Sequence, residues 1–205
     1  MFQTLSRVKR RPWSSGVKTT LVWLMLCFLP FPVIAASGPV RTVEEGTEKV
    51  LGFLQDQDMD KETRRAHIRD VVDEHFDFQE MAMRALGPHW REQPSEKQEE
   101  YVSAFSDFLF GVYIDRIERY SDETVTYELG EEREAHALVQ AIIKGKEVGE
   151  IPVEYRLRLT DEEWRVYDVV IEGVSLVNNY RSQFNDFLAR NTFDDLLSRL
   201  KERSL

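Results

Sequence analysis

The sequence predicts an α+β domain in which helices pack on a curved antiparallel sheet of four to five strands and enclose an apolar pocket. Three observations predict this class. Apolar side chains recur at helical spacing over residues 40–117, alternate with polar ones over residues 125–171, and return to helical spacing after residue 175. Helices, a strand meander and further helices along one chain are typical of α+β domains.

The predicted helices cover residues 40–54, 60–76, 78–86, 94–117, 175–190 and 193–201. Asp60 and Ser175 are the predicted N-caps of the second and fifth helices, because their side-chain oxygens can accept from free backbone N–H groups. Gly87 and Pro88 are expected to end the third helix. The long fourth helix has a wide apolar stripe over residues 105–117, which we expect to face the sheet.

The predicted strands cover residues 125–129, 135–144, 151–159 and 164–171, with turns at residues 144–149 and 160–163. Alternation at period two indicates half-buried antiparallel strands joined as hairpins. Ala135, Ala137 and Ala141 are small, so the inner face of the sheet can leave volume for a pocket. A closely packed core is the alternative, and the domain would then be an interaction module without a ligand.

The first 36 residues predict a signal peptide that is cleaved near Ala36. A basic region precedes an apolar run over residues 21–29, and Ala35 and Ala36 are the small residues suited to cleavage. The run is shorter than the roughly 20 residues of a membrane span, and Pro30 ends it. We therefore expect residues 37–205 to form a single exported domain.

The exported chain is expected to be strongly acidic. The sequence has 27 Lys and Arg against 37 Asp and Glu, and residues 1–36 contain five basic residues and no acid, which leaves 22 against 37 and a net charge of −15. This charge disfavours nucleic acid and lasting adsorption to an anionic membrane, although solubility alone also explains it. The only cysteine, Cys27, lies in the same segment, so we expect no disulfide.

The sequence shows no recognisable catalytic or metal-binding motif. The four histidines have no metal-ligand spacing, and neither a nucleophile elbow nor a phosphate-binding loop is found. We therefore expect no catalytic residue, no metal and no cofactor. The alternative is a small-molecule isomerase with a cone-shaped α+β fold, in which Asp168 within an apolar strand is a general base. Asp168 could equally be structural, paired with Arg181 or with backbone donors.

The most distinctive sequence lies at the last strand and the helix after it. It is Trp-Arg-Val-Tyr-Asp-Val at residues 164–169, Ile-Glu-Gly-Val-Ser-Leu at 171–176 and Asn-Tyr-Arg-Ser-Gln-Phe at 179–184. Shorter matching blocks are Phe-Asp-Phe at 76–78, Leu-Gly-Pro-His-Trp at 86–90 and Tyr-Arg-Leu at 155–157. In these blocks, and over about residues 40–202, the chain resembles the MlaC family of periplasmic phospholipid carriers, also called the toluene-tolerance family.

The resemblance implies a soluble periplasmic protein that holds phospholipid as cargo, without a cofactor. It also implies that the protein exchanges phospholipid with an outer-membrane lipoprotein complex and with an inner-membrane ABC transporter complex that has lipid-binding subunits. This exchange would maintain outer-membrane lipid asymmetry. We expect a monomer. From the alternation of faces, the residues expected to contact the lipid tails are Tyr127, Val139, Val153, Tyr155 and Leu157 on the sheet and Phe105, Leu109 and Val112 on the long helix.

Overall fold

The computed structural model describes residues 38–120, 123–145 and 149–203, so the predicted signal peptide lies outside the described residues. The helices are α1 (Pro39–Gln55), α2 (Lys61–His75), α3 (Phe78–Leu86), α4 (Ser95–Ile117), α5 (Leu176–Leu188) and α6 (Phe193–Glu202), with a 3-10 helix at Gly87–Glu92. The strands are β1 (Thr124–Arg133), β2 (His136–Gly145), β3 (Gly149–Thr160), β4 (Glu163–Ile171) and β5 (Val174–Ser175). The predicted α+β class and strand number are confirmed.

Both predicted N-caps are confirmed. Asp60 accepts hydrogen bonds from the backbone N–H groups of Glu62 and Thr63, each at 3.0 Å, and Ser175 accepts from that of Asn178 at 3.1 Å. These bonds satisfy donors that the first turn of a helix leaves unpaired. The starts of α2 and α5 are therefore fixed locally by sequence.

The sheet is a simple antiparallel meander in the order β1-β2-β3-β4-β5. The pairing of β3 with β4 shifts register at one point, where Arg156 pairs with Asp168 but Leu157 pairs with Val166. Tyr167 is thus an extra residue, which is the arrangement of a β-bulge. Because side chains alternate at period two, the bulge places Val166 and Val169 on the same face of the sheet.

The apolar interior is divided into two clusters. The helical core gathers buried side chains of α3 to α6, among them Met81, Leu86, Tyr101, Phe105, Phe108, Tyr180, Phe184, Leu196 and Leu200. The sheet core gathers one side chain of α1 and the inner face of the sheet, namely Val43, Ala137, Val139, Ala141, Val153, Leu157, Trp164, Val166 and Val169. Phe76, which follows the end of α2, packs against both clusters.

The prediction that the whole apolar stripe of the long helix faces the sheet is wrong for its first part. The ring of Phe105 stacks on that of Tyr101 at a centroid distance of 5.8 Å and meets that of Phe184 edge-on at 5.6 Å. Both partners belong to the helical core. Leu109 and Tyr113, one and two turns further along α4, also line the space between the two clusters, although Leu109 is itself part of the helical core.

Candidate ligand-binding cavity

A cavity of about 510 Å³ lies between the helical core and the sheet core. Side chains of α1, α2, α3 and α4 form one side of it, and the inner face of β1 to β4 forms the other. Its volume is within the range of about 300–1,000 Å³ that small-molecule sites occupy. The lining is mostly aliphatic and aromatic, as such sites require.

The cavity has a closed floor and an open mouth. Met81 and Val166 at the floor are almost completely buried, with 1% and 2% of their surfaces exposed. At the mouth, Ile171 is 37% exposed, and Ile143 and Ile151 are half-buried. An apolar ligand can therefore enter at the mouth and leave one end in water.

The sheet wall follows directly from strand register. Ile143 of β2 pairs with Ile151 of β3, and Tyr155 of β3 pairs with Val169 of β4, so these side chains form rows on one face. The bulge in β4 keeps Val166 in the same wall. Without the extra residue, Val166 and Val169 would point to opposite faces of the sheet.

Helix α1 lies on the side of the cavity that faces the sheet wall, and it packs closely against α2. A Cβ atom at Gly46 would lie 2.9 Å from the Cδ2 atom of His75, so only glycine permits this approach. Nδ1 of His75 lies 2.8 Å from the carbonyl oxygen of Val71, which orients the imidazole ring. The hydroxyl groups of Thr47 and Tyr127 are hydrogen-bonded to each other and join α1 to β1.

The structure brings three of the eight predicted contact residues to the cavity: Leu109, Val153 and Tyr155. Their contact with a lipid tail stays a prediction. Tyr127 does not line the cavity, although its partner Thr47 does. It is half-buried against the sheet core.

The other four predicted contact residues lie away from the cavity surface. Val139 and Leu157 face the expected side, but they are fully buried within the sheet core. Phe105 is fully buried in the helical core. Val112 is 37% exposed on α4, because its position on the helix points away from the stripe that contains Leu109 and Tyr113.

Sequence reasoning missed the contribution of α1 and α2. The lining includes Val43, Val50, Leu51 and Leu54 of α1 and Val71 and Val72 of α2. The same residues of α1 are those that recur at helical spacing in the sequence. That spacing revealed an apolar face, and only the fold shows that the face covers a cavity.

Asp168 is not placed for catalysis in this cavity, because it does not line it. Its carboxylate accepts from the hydroxyl of Ser175 at 2.7 Å, from the backbone N–H of Val177 at 3.0 Å and from Nη1 of Arg156 at 3.3 Å. The alternative pairing with Arg181 is therefore wrong, and the backbone-donor alternative is confirmed. Asp168 holds the start of α5 against β4 and β3.

Polar groups of the lining are few and lie mostly at the mouth. Arg116, Glu123 and Glu172 contribute charges of both signs there. Burial raises the pKa of Tyr120 and, more strongly, that of Tyr155, so both phenols remain protonated donors at neutral pH. In the part of the chain that the structure describes, no three His, Cys, Asp or Glu side chains are grouped as metal ligands.

Comparison with known proteins gives one family. The family described as MlaC protein matches residues 44–202. A relative from Haemophilus influenzae, the intermembrane phospholipid transport system binding protein MlaC, is 21% identical in an alignment of 195 residues that covers 90% of this chain and 91% of the relative. The toluene tolerance protein ttg2D of Pseudomonas putida is 23% identical over 187 residues, covering 83% of this chain and 82% of that protein.

A solved structure has the same fold. It is that of a phospholipid-binding protein from Ralstonia solanacearum in complex with a phospholipid, and it matches with a TM-score of 0.71 and 22% identity. The match covers 81% of this chain and 96% of the other. Among the described residues, no helix combines the length and the apolar character needed to cross a bilayer.

Proposed function

Because the chain belongs to the MlaC family, we propose that it is a soluble periplasmic carrier that binds phospholipid and moves it between membranes. The observation that carries this proposal is the apolar cavity of about 510 Å³ with a closed floor and an open mouth. Relatives named for phospholipid transport, and a phospholipid-bound neighbour of the same fold, support it.

Physical chemistry explains why such a carrier is needed. A diacyl phospholipid has roughly 30 methylene groups, and exposing each to water costs about 0.8 kcal/mol, so the free lipid is unfavourable by about 20 kcal/mol or more. A cavity that covers the tails removes most of this penalty. Transfer then takes place between two apolar environments and needs no chemical step.

The headgroup is expected to stay at the mouth. Ile171 and the charged side chains of Arg116, Glu123 and Glu172 surround the opening, so a polar group there remains in contact with water. Because these charges have both signs, we expect weak selectivity among headgroups. The tails would lie against Leu109, Val153 and the floor.

The position of Asp168 favours a binding protein over an enzyme. The carboxylate of Asp168 is used by Ser175, Val177 and Arg156 and does not face the cavity. We propose that the partners are an outer-membrane lipoprotein complex and an inner-membrane ABC transporter complex, that the carrier works as a monomer, and that the exchange maintains outer-membrane lipid asymmetry.

Lipid extraction from a matched pair of variants tests the proposal. Val153→Trp places a large ring in the cavity, whereas Val112→Trp places the same ring on the exposed side of α4. After purification from a Gram-negative periplasm and chloroform extraction, mass spectrometry should find phospholipid with the wild type and Val112→Trp and at least about fivefold less with folded Val153→Trp. Wild-type protein without phospholipid would refute the carrier function.

A further inference from the structure

Three tyrosines, Tyr113, Tyr120 and Tyr155, contribute to the lining of the mostly apolar cavity. Tyr155 of β3 and Tyr120, which follows α4, both line it. Tyr155 is close enough to Tyr120 and Tyr127 for the three phenols to influence one another electrostatically. Tyrosine in an apolar site brings a hydrogen-bonding group that a leucine or phenylalanine would not, so the position of the hydroxyl matters.

Two of the nearby tyrosine hydroxyls already have partners and two do not. Tyr127 is hydrogen-bonded to Thr47, and Tyr113, also in the lining, is hydrogen-bonded to Tyr180. The hydroxyl groups of Tyr155 and Tyr120 make no side-chain hydrogen bond with the described residues.

These two tyrosines enter the cavity at different depths. Tyr120 is half-buried and is close enough to Arg116 and Glu123, which line the mouth, to be affected by their charges. Along β3, Tyr155 is one inward position deeper than Val153 and two deeper than Ile151. In a phospholipid with its headgroup in water and its tails on the floor, the ester linkages lie just below the headgroup, within the stretch of wall that the two tyrosines span.

A loaded cavity needs an acceptor along that stretch of wall. Water can satisfy the two hydroxyls when the cavity is empty, but alkyl chains displace water and accept no hydrogen bond. We propose that Tyr155 and Tyr120 donate hydrogen bonds to the ester carbonyl oxygens of the bound lipid, so that the cavity recognises acyl esters rather than hydrocarbon alone. This inference rests on the proposed lipid-binding function.

Competition between an ester lipid and its ether analogue tests the inference. Delipidated full-length protein is incubated with vesicles that contain equal amounts of dipalmitoyl phosphatidylglycerol and its dihexadecyl ether analogue, which lacks both carbonyl groups. Mass spectrometry of the extracted lipid gives the ratio bound. We expect the wild type to enrich the ester about 25-fold, the effect of two ordinary hydrogen bonds, and Tyr155→Phe to lower the enrichment to about fivefold, the effect of the one that remains.

Tyr101→Phe is the matched control. It removes the same hydroxyl from a tyrosine in the helical core that does not line the cavity, so the ester enrichment of the wild type should persist. Circular dichroism checks that each variant keeps its fold. Tyr120→Phe/Tyr155→Phe should bind the two lipids equally, since both proposed donors are removed.

Each contrary result has a separate meaning. Equal uptake of ester and ether by the wild type, or full enrichment by the double variant, would overturn this inference while the carrier function stands. A third arm with added palmitic acid tests the other source of a carbonyl oxygen, and displacement of the ester by palmitate that is stronger from the wild type than from Tyr120→Phe/Tyr155→Phe would assign the hydroxyls to a carboxylate instead. Uptake of neither lipid would overturn both proposals.

Discussion

The helical core and the sheet core are built from apolar side chains, yet only one of them fills its space. In the helical core, the rings of Tyr101, Phe105 and Phe184 meet at centroid distances of 5.6–6.2 Å in stacked and edge-on contacts. The sheet core borders a cavity of about 510 Å³. The helical core is thus filled, and the space for a ligand lies where it meets the sheet core, with Met81 and Leu109 of the helical core in the lining.

The two clusters also differ in side-chain type. The helical core is rich in aromatic rings, whereas the buried part of the sheet core is mainly valine and alanine, including Ala137, Ala141 and Val153. The unfilled space between the sheet and the helices removes dispersion contacts that a filled core would make. Lipid tails in the gap would restore those contacts.

A frame of ion pairs joins the elements that surround the cavity. Nε of Arg158 on β3 is 2.6 Å from Oδ2 of Asp77, and its Nη1 is 2.9 Å from Oε2 of Glu80 on α3. Arg65 on α2 similarly binds Glu118 at the end of α4. Because paired buried charges need defined geometry, these contacts favour one spacing of the walls and oppose collapse of the gap.

The largest expected effect is the loss of a ring from the filled half. Phe184→Ala removes a fully buried side chain that contacts Tyr101, Phe105 and Tyr180. We expect the free energy of unfolding to fall by about 3–5 kcal/mol, as measured by urea denaturation. A loss below about 1 kcal/mol would mean that the helical core is not the main source of stability.

A matched pair of valines compares the two halves directly. Val177 in the helical core and Val169 in the cavity wall are similarly buried, with 4% and 9% exposed. In delipidated protein, Val177→Phe should reduce the free energy of unfolding by about 1–3 kcal/mol through overpacking, and Val169→Phe should reduce it by less than about 0.5 kcal/mol.

Lipid content should respond in the opposite order, with less phospholipid extracted from Val169→Phe than from Val177→Phe. Equal destabilisation by the two substitutions would show that the cavity closes in the absence of lipid. The contrast between a filled and an unfilled half would then be wrong for the empty protein.

Local features of the fold could be predicted from the sequence because their causes are local. Asp60 and Ser175 cap helices through hydrogen bonds to residues only two or three positions away. Period-two alternation likewise located the strands. The bulge at Tyr167 could not be predicted, because it depends on how β4 pairs with β3 rather than on β4 alone.

The cavity lining was only partly predictable for a similar reason. Alternation along β3 correctly put Val153 and Tyr155 on the inner face, but it does not show where a wall ends and a solid core begins, as at Leu157. Helical periodicity grouped Phe105 with Leu109, and both are buried in the helical core, yet only Leu109 also reaches the cavity. The void itself is a property of tertiary packing.

The smallest expected effect concerns a polar atom that the filled half leaves without a partner. The hydroxyl of Tyr101 is buried with no hydrogen-bond partner among the described residues, and burial raises its pKa well above the ordinary value. Tyr101→Phe removes this uncompensated group and keeps the ring, so the free energy of unfolding should stay unchanged or rise by up to about 1 kcal/mol in urea denaturation. A loss of more than about 1 kcal/mol would reveal a partner for the hydroxyl. Unchanged lipid content in the same variant would confine its effect to packing, because the Tyr101 ring lies in the filled part of the helical core and does not line the cavity.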